Sequence, residues 1–137
     1  GQIVVDAPDT DKIQLVLDNA EIHNETSAAL YIKQADKVFL TLKEESINTL
    51  SGGETYTAID DNTIDAVIFS KEDFCINGTG KLTVTAAYKH GIVSKDDLIV
   101  TGGEITVNAV SQCMTGKDSV RIADGTFTLT TEGKAVK

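Results

Sequence analysis

Ile92-Val93-Ser94-Lys95-Asp96-Asp97-Leu98-Ile99-Val100-Thr101-Gly102-Gly103-Glu104-Ile105-Thr106-Val107 is a stretch that recurs along the chain. Upstream, Ile68-Phe69-Ser70-Lys71-Glu72-Asp73-Phe74-Cys75-Ile76 leads into Gly80-Lys81-Leu82-Thr83-Val84. Downstream, Met114-Thr115-Gly116-Lys117-Asp118-Ser119-Val120-Arg121-Ile122 leads into Gly125-Thr126-Phe127-Thr128-Leu129. Lys95 follows Lys71 by 24 residues, and Lys117 follows Lys95 by 22. A period in the low twenties marks a repeat architecture, in which each unit buries its apolar face only by stacking on a neighbour.

Aligning the repeats gives four apolar columns. Ile32, Ile68, Ile92, Met114 and Val136 form one, and Leu15, Val38, Phe74, Leu98 and Val120 another. Leu17, Leu40, Ile76, Val100 and Ile122 make the third; Ile22, Ile47, Leu82, Ile105 and Phe127 the fourth. Within each unit the apolar residues alternate with polar ones, the period of a strand. The turns hold Gly, Asn, Asp and Thr and leave no room for the helix of a leucine-rich repeat. A sandwich would have hairpin turns and no reason to repeat. The expectation is an all-β parallel β-helix with about 22 residues and three short strands per rung, its rungs about 4.8 Å apart. Residues 1–137 read as one domain, part of a longer solenoid whose uncapped C-terminal rung allows end-to-end self-association. One stretch, 51–63, has no counterpart in other repeats and reads as an inserted loop, the kind of element that carries function on a rigid scaffold.

Composition narrows the function. Against 12 Lys and Arg stand 21 Asp and Glu, a formal net charge of −9. Phosphate backbones need basic patches, so nucleic acid is not an expected partner. No apolar run approaches the roughly 20 residues of a membrane helix, and no membrane insertion is expected. Two cysteines, Cys75 and Cys113, fall at different points of the repeat and read as free thiols. No G-x-S-x-G, phosphate-binding glycine loop or zinc spacing is present, so no catalytic residue is assigned.

Candidate binding residues lie in the outward columns. Lys71, Lys95 and Lys117 form a ladder with Glu72, Asp73, Asp96, Asp97 and Asp118 beside it. It is either a mutually neutralising surface or an array in which the acids hold calcium and the lysines meet sugar carboxylates. Thr83, Thr106 and Thr128, flanked by Thr85, Asn108 and Thr130, make a hydroxyl-rich face. Val16, Phe39, Cys75 and Ile99, ending at Arg121, form an outward apolar column, expected to be covered by the 51–63 loop or by a partner. Tyr56 on that loop, and Tyr88 and His90 at a turn, are candidates for stacking on or bonding to sugar rings.

Ser70-Lys71-Glu72-Asp73-Phe74, Ser94-Lys95-Asp96-Asp97-Leu98 and Gly116-Lys117-Asp118-Ser119-Val120 resemble the "SKDDL" rungs of a bacterial surface family, the carbohydrate-binding domains of clostridial and gut bacteria. Ile3-Val4-Val5-Asp6-Ala7 and Gln14-Leu15-Val16-Leu17-Asp18 are similar to its opening. The resemblance implies a right-handed, pectate-lyase-like β-helix without catalysis, secreted or at the cell surface. Its ligand would be a pectin- or cellulose-like polysaccharide, with calcium. Where family rungs carry Asp, this chain has His90, Gln112 and Lys134, so the expected calcium binding is weak, at one or two sites. A pectate-lyase-like enzyme and a structural adhesin with a protein partner are the alternatives.

Overall fold

The computed structural model describes residues 1–137 as strands and turns, with no helix. The first turn of the coil is β1 (Ile3–Asp6), β2 (Lys12–Leu17) and β3 (Glu21–Asn24). The second is β4 (Leu30–Gln34), β5 (Lys37–Leu42) and β6 (Ile47–Gly52). The third is β7 (Ala66–Ser70), β8 (Asp73–Gly78) and β9 (Lys81–Ala86). The fourth is β10 (His90–Ser94), β11 (Asp97–Val100) and β12 (Glu104–Asn108), and the fifth β13 (Met114–Gly116), β14 (Ser119–Ile122) and β15 (Thr126–Thr130). Each strand pairs with its counterpart one turn away, always in parallel. This makes three five-stranded sheets: β1-β4-β7-β10-β13, β2-β5-β8-β11-β14 and β3-β6-β9-β12-β15. The β-solenoid expected from the period is the fold observed.

The interior is aliphatic. Leu30, Ile68, Ile92 and Met114 stack in the first sheet, and Val136 continues the row by a bridge to Met114. Val38, Phe74, Leu98 and Val120 stack in the second, beside Leu40, Ile76, Val100 and Ile122. Between the second and third sheets the chain turns on left-handed glycines. Gly78 (φ 92°), Gly103 (φ 104°) and Gly125 (φ 126°) recur there. A Cβ on Gly78 would run into the carbonyl oxygen of Leu42 one turn below.

In the first two turns the register differs from the expected columns. Leu30, not Ile32, pairs with Ile68, while Ile32 pairs with Ser70. Likewise Ile13 and Leu15 pair with Val38 and Leu40, and Leu17 lies one pair further on, against Leu42. Each is a slip of two, which keeps the side chain on the same face and is invisible to a period-2 pattern. Ile47 is a true exception: it heads β6 on the outside, 62% exposed, and pairs with Lys81. The interior place belongs to Asn48, which pairs with Leu82. Its amide donates to Ser46 Oγ (2.9 Å) and the Lys81 carbonyl (3.1 Å) and accepts from the Ala20 N–H (2.8 Å). With those bonds made, a fully buried amide costs little.

The excursion between β6 and β7 runs from 53 to 65, since Ser51 and Gly52 pair with Thr85 and Ala86. It does not cover the outward column of the second sheet. It packs over the first sheet, where Ile64 joins Ala28, Tyr31, Ala66, Phe69 and Val93 in a second apolar cluster. Outward side chains of β4 and β7 (Tyr31, Phe69) are large and aromatic, so this face has most to hide. The second sheet's outward row is Gln14, Phe39, Cys75, Ile99 and Arg121. Val16 lies in the next row, beside Thr41 and 56% exposed. Lys37 Nζ sits 5.9 Å from the Phe39 ring centroid. Cys75 and Cys113 are both buried free thiols.

Ile92 is fully buried between Ile68 and Met114. Ile92→Asp places an uncompensated carboxylate in that row and is expected to cost about 3–5 kcal/mol. A thermal melt reads it, and a variant that melts cooperatively near the wild-type temperature would overturn the assignment of the interior.

Candidate functional site

The turn from the first sheet to the second carries the lysine ladder. Backbone N–H groups of Lys71, Lys95 and Lys117 donate to the carbonyls of Ile32 (3.0 Å), Ser70 (2.8 Å) and Ser94 (3.0 Å), which locks the three in register. The buried serines of the motif build this turn. Ser70 Oγ donates to the Glu72 carbonyl (2.7 Å) and accepts the Glu72 N–H (3.1 Å). Ser94 Oγ does the equivalent at Asp97 (3.0 Å) and Asp96 (3.2 Å). Lys95 Nζ leans over the first sheet, 5.6 Å from the Phe69 ring centroid. Lys95, Lys117 and Lys137 then surround a cavity of about 300 Å³, floored by Val93, Ser94, Thr115 and Gly116. Thr115 Oγ1 is buried there with no hydrogen-bond partner, an unmet polar group on the floor of a basic groove. Lys71 is in the ladder but does not line this cavity.

Of the acids beside the ladder, two stitch strands together. Asp73 Oδ1 accepts the Asp97 N–H (3.1 Å); Asp97 Oδ1 accepts the Ser119 hydroxyl (2.6 Å), and its Oδ2 lies 3.8 Å from Arg121. Glu72 and Asp96 carry no such bond. Burial, then the neighbouring carboxylates (Asp96 for Glu72; Asp73, Asp118 and Asp97 for Asp96), push both pKa values up. A cation would relieve that repulsion. Yet no three of the carboxylates gather in metal-holding geometry, and calcium takes roughly six to eight oxygens. Glu72, Asp73, Asp96, Asp97 and Asp118 as arranged do not fit a calcium cage.

A second cavity, of about 270 Å³, lies under the 53–65 excursion and brings Tyr56 and Tyr88 together, with Asp60, Asp61, Asn62 and Thr63 around it. The two rings sit 4.9 Å apart at 37°. Tyr31 anchors this loop: its hydroxyl donates to Asp60 Oδ2 (2.7 Å) and accepts from Asn62 Nδ2 (2.8 Å), while the Asn62 N–H reaches Asp60 Oδ1 (2.8 Å). Those bonds hold the Asp60 carboxyl below its usual range, while burial and the Asp60 bond push Tyr31 up to about 12. The Asp60-x-Asn62 turn lies inside the stretch that reads from sequence only as an inserted loop. That Tyr31 points out of its strand to meet it was not legible, because the loop has no counterpart in the repeat. Tyr56 OH is buried against Gly52 without a partner, and burial with the nearby Asp65 raises it to about 12.

His90 lines neither cavity. Its Nδ1 accepts the Gln112 N–H (3.1 Å) and its Nε2 lies 3.7 Å from Asp65 Oδ2; the two side chains are 16% and 17% exposed. It staples adjacent turns. On the third sheet, Thr49, Thr83, Thr106 and Thr128 stack in one outward row and Ser51, Thr85, Asn108 and Thr130 in the next, extending the hydroxyl face by one turn.

The sequence profile described as carbohydrate-binding domain-containing protein matches residues 1–137. A protein of that description from Acetivibrio thermocellus is 44% identical over 111 residues, covering 80% of this chain and 39% of the relative. A solved structure, described as the gadolinium derivative of a polysaccharide lyase-like protein from C. thermocellum, superposes with a TM-score of 0.97 at 40% identity. It covers all of this chain and 56% of its own. The chain thus spans well under two thirds of either protein.

Burial depresses the His90 pKa below 6.5 despite Asp65. The neutral ring is the form the fold accommodates, so its contribution is complete above pH about 6.5 and is lost as pH falls through the folded value. The melting temperature should drop by a few degrees across that window and stay flatter in His90→Gln. Equal slopes for the two proteins would remove His90 from this role.

Proposed function

The chain belongs to the family of carbohydrate-binding domain-containing proteins, and from that premise we propose that it binds an acidic, pectin-like polysaccharide without cleaving it, outside the cell or at its surface. The observation that carries this reading is the groove of Lys95, Lys117 and Lys137 over the unpartnered Thr115 hydroxyl. Ammonium groups one turn apart match carboxylates repeated along a polymer. In a protein of net charge −9, the acidic remainder of the surface repels a polyanion, which leaves the local basic groove as its favoured place. The flat hydroxyl rows of the third sheet give a second, neutral face for a cellulose-like chain. Calcium has no structural part in this proposal, since four aliphatic columns already form a core.

The polysaccharide lyase-like neighbour favours one further reading, eliminative cleavage. A lyase of that kind needs a basic residue to take a proton, and Arg121, the single arginine, lies on the second sheet paired with Asp97. That position, at the end of an apolar row, suits an ion pair better than a base.

Polygalacturonate binding in calorimetry should weaken about tenfold in the Lys95→Ala/Lys117→Ala double variant, and fall with salt. EDTA should change neither that affinity nor the melting temperature, and no unsaturated product should absorb at alkaline pH with calcium. An unaffected double variant would sink the groove. Product formation lost on Arg121→Ala would put the lyase reading first, and a collapse of the melt in EDTA would show that metal is structural.

A further inference from the structure

We propose that the outer face of the second sheet is a dimer interface, on which a second copy of this chain packs antiparallel to the first. Its middle row, Phe39, Cys75 and Ile99, is apolar, and the 53–65 excursion packs on the first sheet instead. The row beside it decides what covers the face. Lys12, Lys37, Asp73 and Asp97 run from positive to negative along the solenoid axis, and their charges cancel. A row of that kind is complementary to its own reversed copy, which is the condition for a two-fold interface.

A two-fold axis along the strands, passing between β5 and β8, sets Lys37 against the partner's Asp73 and Lys12 against the partner's Asp97. Moving the axis onto β8 would oppose Asp73 to its own copy. The apolar row agrees with the first register, because Phe39 then meets the partner's Cys75, the smallest side chain of that row. Lys37 and Asp73 close no ion pair within the chain: the lysine lies 5.9 Å from the Phe39 centroid, and the acid accepts the Asp97 N–H. Lys12 and Asp97 bring Asp36 (2.9 Å) and Arg121 (3.8 Å) with them, so each end of the row becomes a network of mixed sign. The neighbouring polar row is bonded within each copy. Gln14 Nε2 donates to Thr41 Oγ1 (3.0 Å), which donates to Asn77 Oδ1 (2.6 Å), and polar groups already paired cost little to bury.

The same axis keeps the lysine-ladder turns of both copies at one edge. That edge carries a lysine for each acid, Lys71 with Glu72, Lys95 with Asp96 and Lys117 with Asp118, which limits repulsion between two chains of net charge −9. Four strands of about six residues present roughly 400 Å² per copy, about half of a standard interface. The dimer is therefore weak and exchanging, with a dissociation constant on the order of 100 μM. It stands independently of what the lysine groove binds.

Sedimentation equilibrium of the full chain from about 10 to 500 μM spans that constant, and the mass should rise from one copy towards two and stop there. Lys37→Asp and Asp73→Lys each set like charges face to face and should each dimerise at least about tenfold more weakly. An equimolar mixture of the two variants should recover the dimer, since every substituted side chain then faces an opposite charge. Asp73→Lys also removes the acceptor of the Asp97 N–H, so both variants are melted first. If it does not melt cooperatively, Phe39→Ala takes its place and should weaken the dimer about tenfold. A monomer throughout, variants that dimerise like the wild type, or well-folded variants whose mixture stays monomeric would overturn the interface. A mass that climbs past two copies would place the contact at the ends of the coil and overturn it as well.

Discussion

Everything in this molecule is subject to one constraint: each residue stacks on its own counterpart about 4.8 Å away in a parallel ladder. A side chain is therefore chosen for its compatibility with itself as much as for its face. Inside, that favours Leu, Ile and Val, which interdigitate in like-on-like rows, as Leu30, Ile68, Ile92 and Met114 do. Outside, it favours Thr, whose hydroxyls tolerate repetition. Charge is the difficult case. The row Lys12, Lys37, Asp73, Asp97, Ser119 changes sign halfway, and Lys12 is offset by Asp36 at 2.9 Å. The Glu72–Asp96–Asp118 turns close no ion pair, and burial, with repulsion among the carboxylates added to it, raises the pKa values of Glu72 and Asp96 against the partial relief of Lys71 and Lys117.

The same constraint explains how much could be read beforehand. Period, strand count and the four interior rows were legible from residue 64 onward, because each turn there repeats the last. In the first two turns the pattern slipped by two residues at Ile32, Leu15 and Leu17. A period-2 signal is unchanged by such a slip, and only the turn lengths, which vary there, fix the pairing. Ile47 and Asn48 inverted the hydrophobic rule outright. The isoleucine is outside and the asparagine inside because the amide can bond three successive turns at once, through the Ala20 N–H, the Ser46 hydroxyl and the Lys81 carbonyl.

Sites were legible in proportion to their repetition. The lysine ladder was visible as a column, although its cavity takes Lys95 and Lys117 and adds Lys137 and Thr115, while Lys71 stays apart. Tyr56 and Tyr88 were singled out separately, and nothing in a one-dimensional pattern could bring them to 4.9 Å. That meeting depends on where the 53–65 excursion lands. It lands on the first sheet because Tyr31 and Phe69 present the most apolar surface there, and because Asp60 and Asn62 close on the Tyr31 hydroxyl.

Phe69 is where the two candidate sites meet. One neighbour is Tyr31, ring to ring at 6.0 Å, through which the loop and its acidic cleft are fixed. Another is the ammonium of Lys95, 5.6 Å from the ring centroid, at the edge of the basic groove. The covered part of the first sheet runs on past Phe69 to Val93, which also lines the basic groove. The Phe69 ring contributes apolar area to the loop cluster and lies within cation–π distance of the lysine. The basic groove and the acidic loop thus share the first sheet's outer face, with Phe69 touching an element of each.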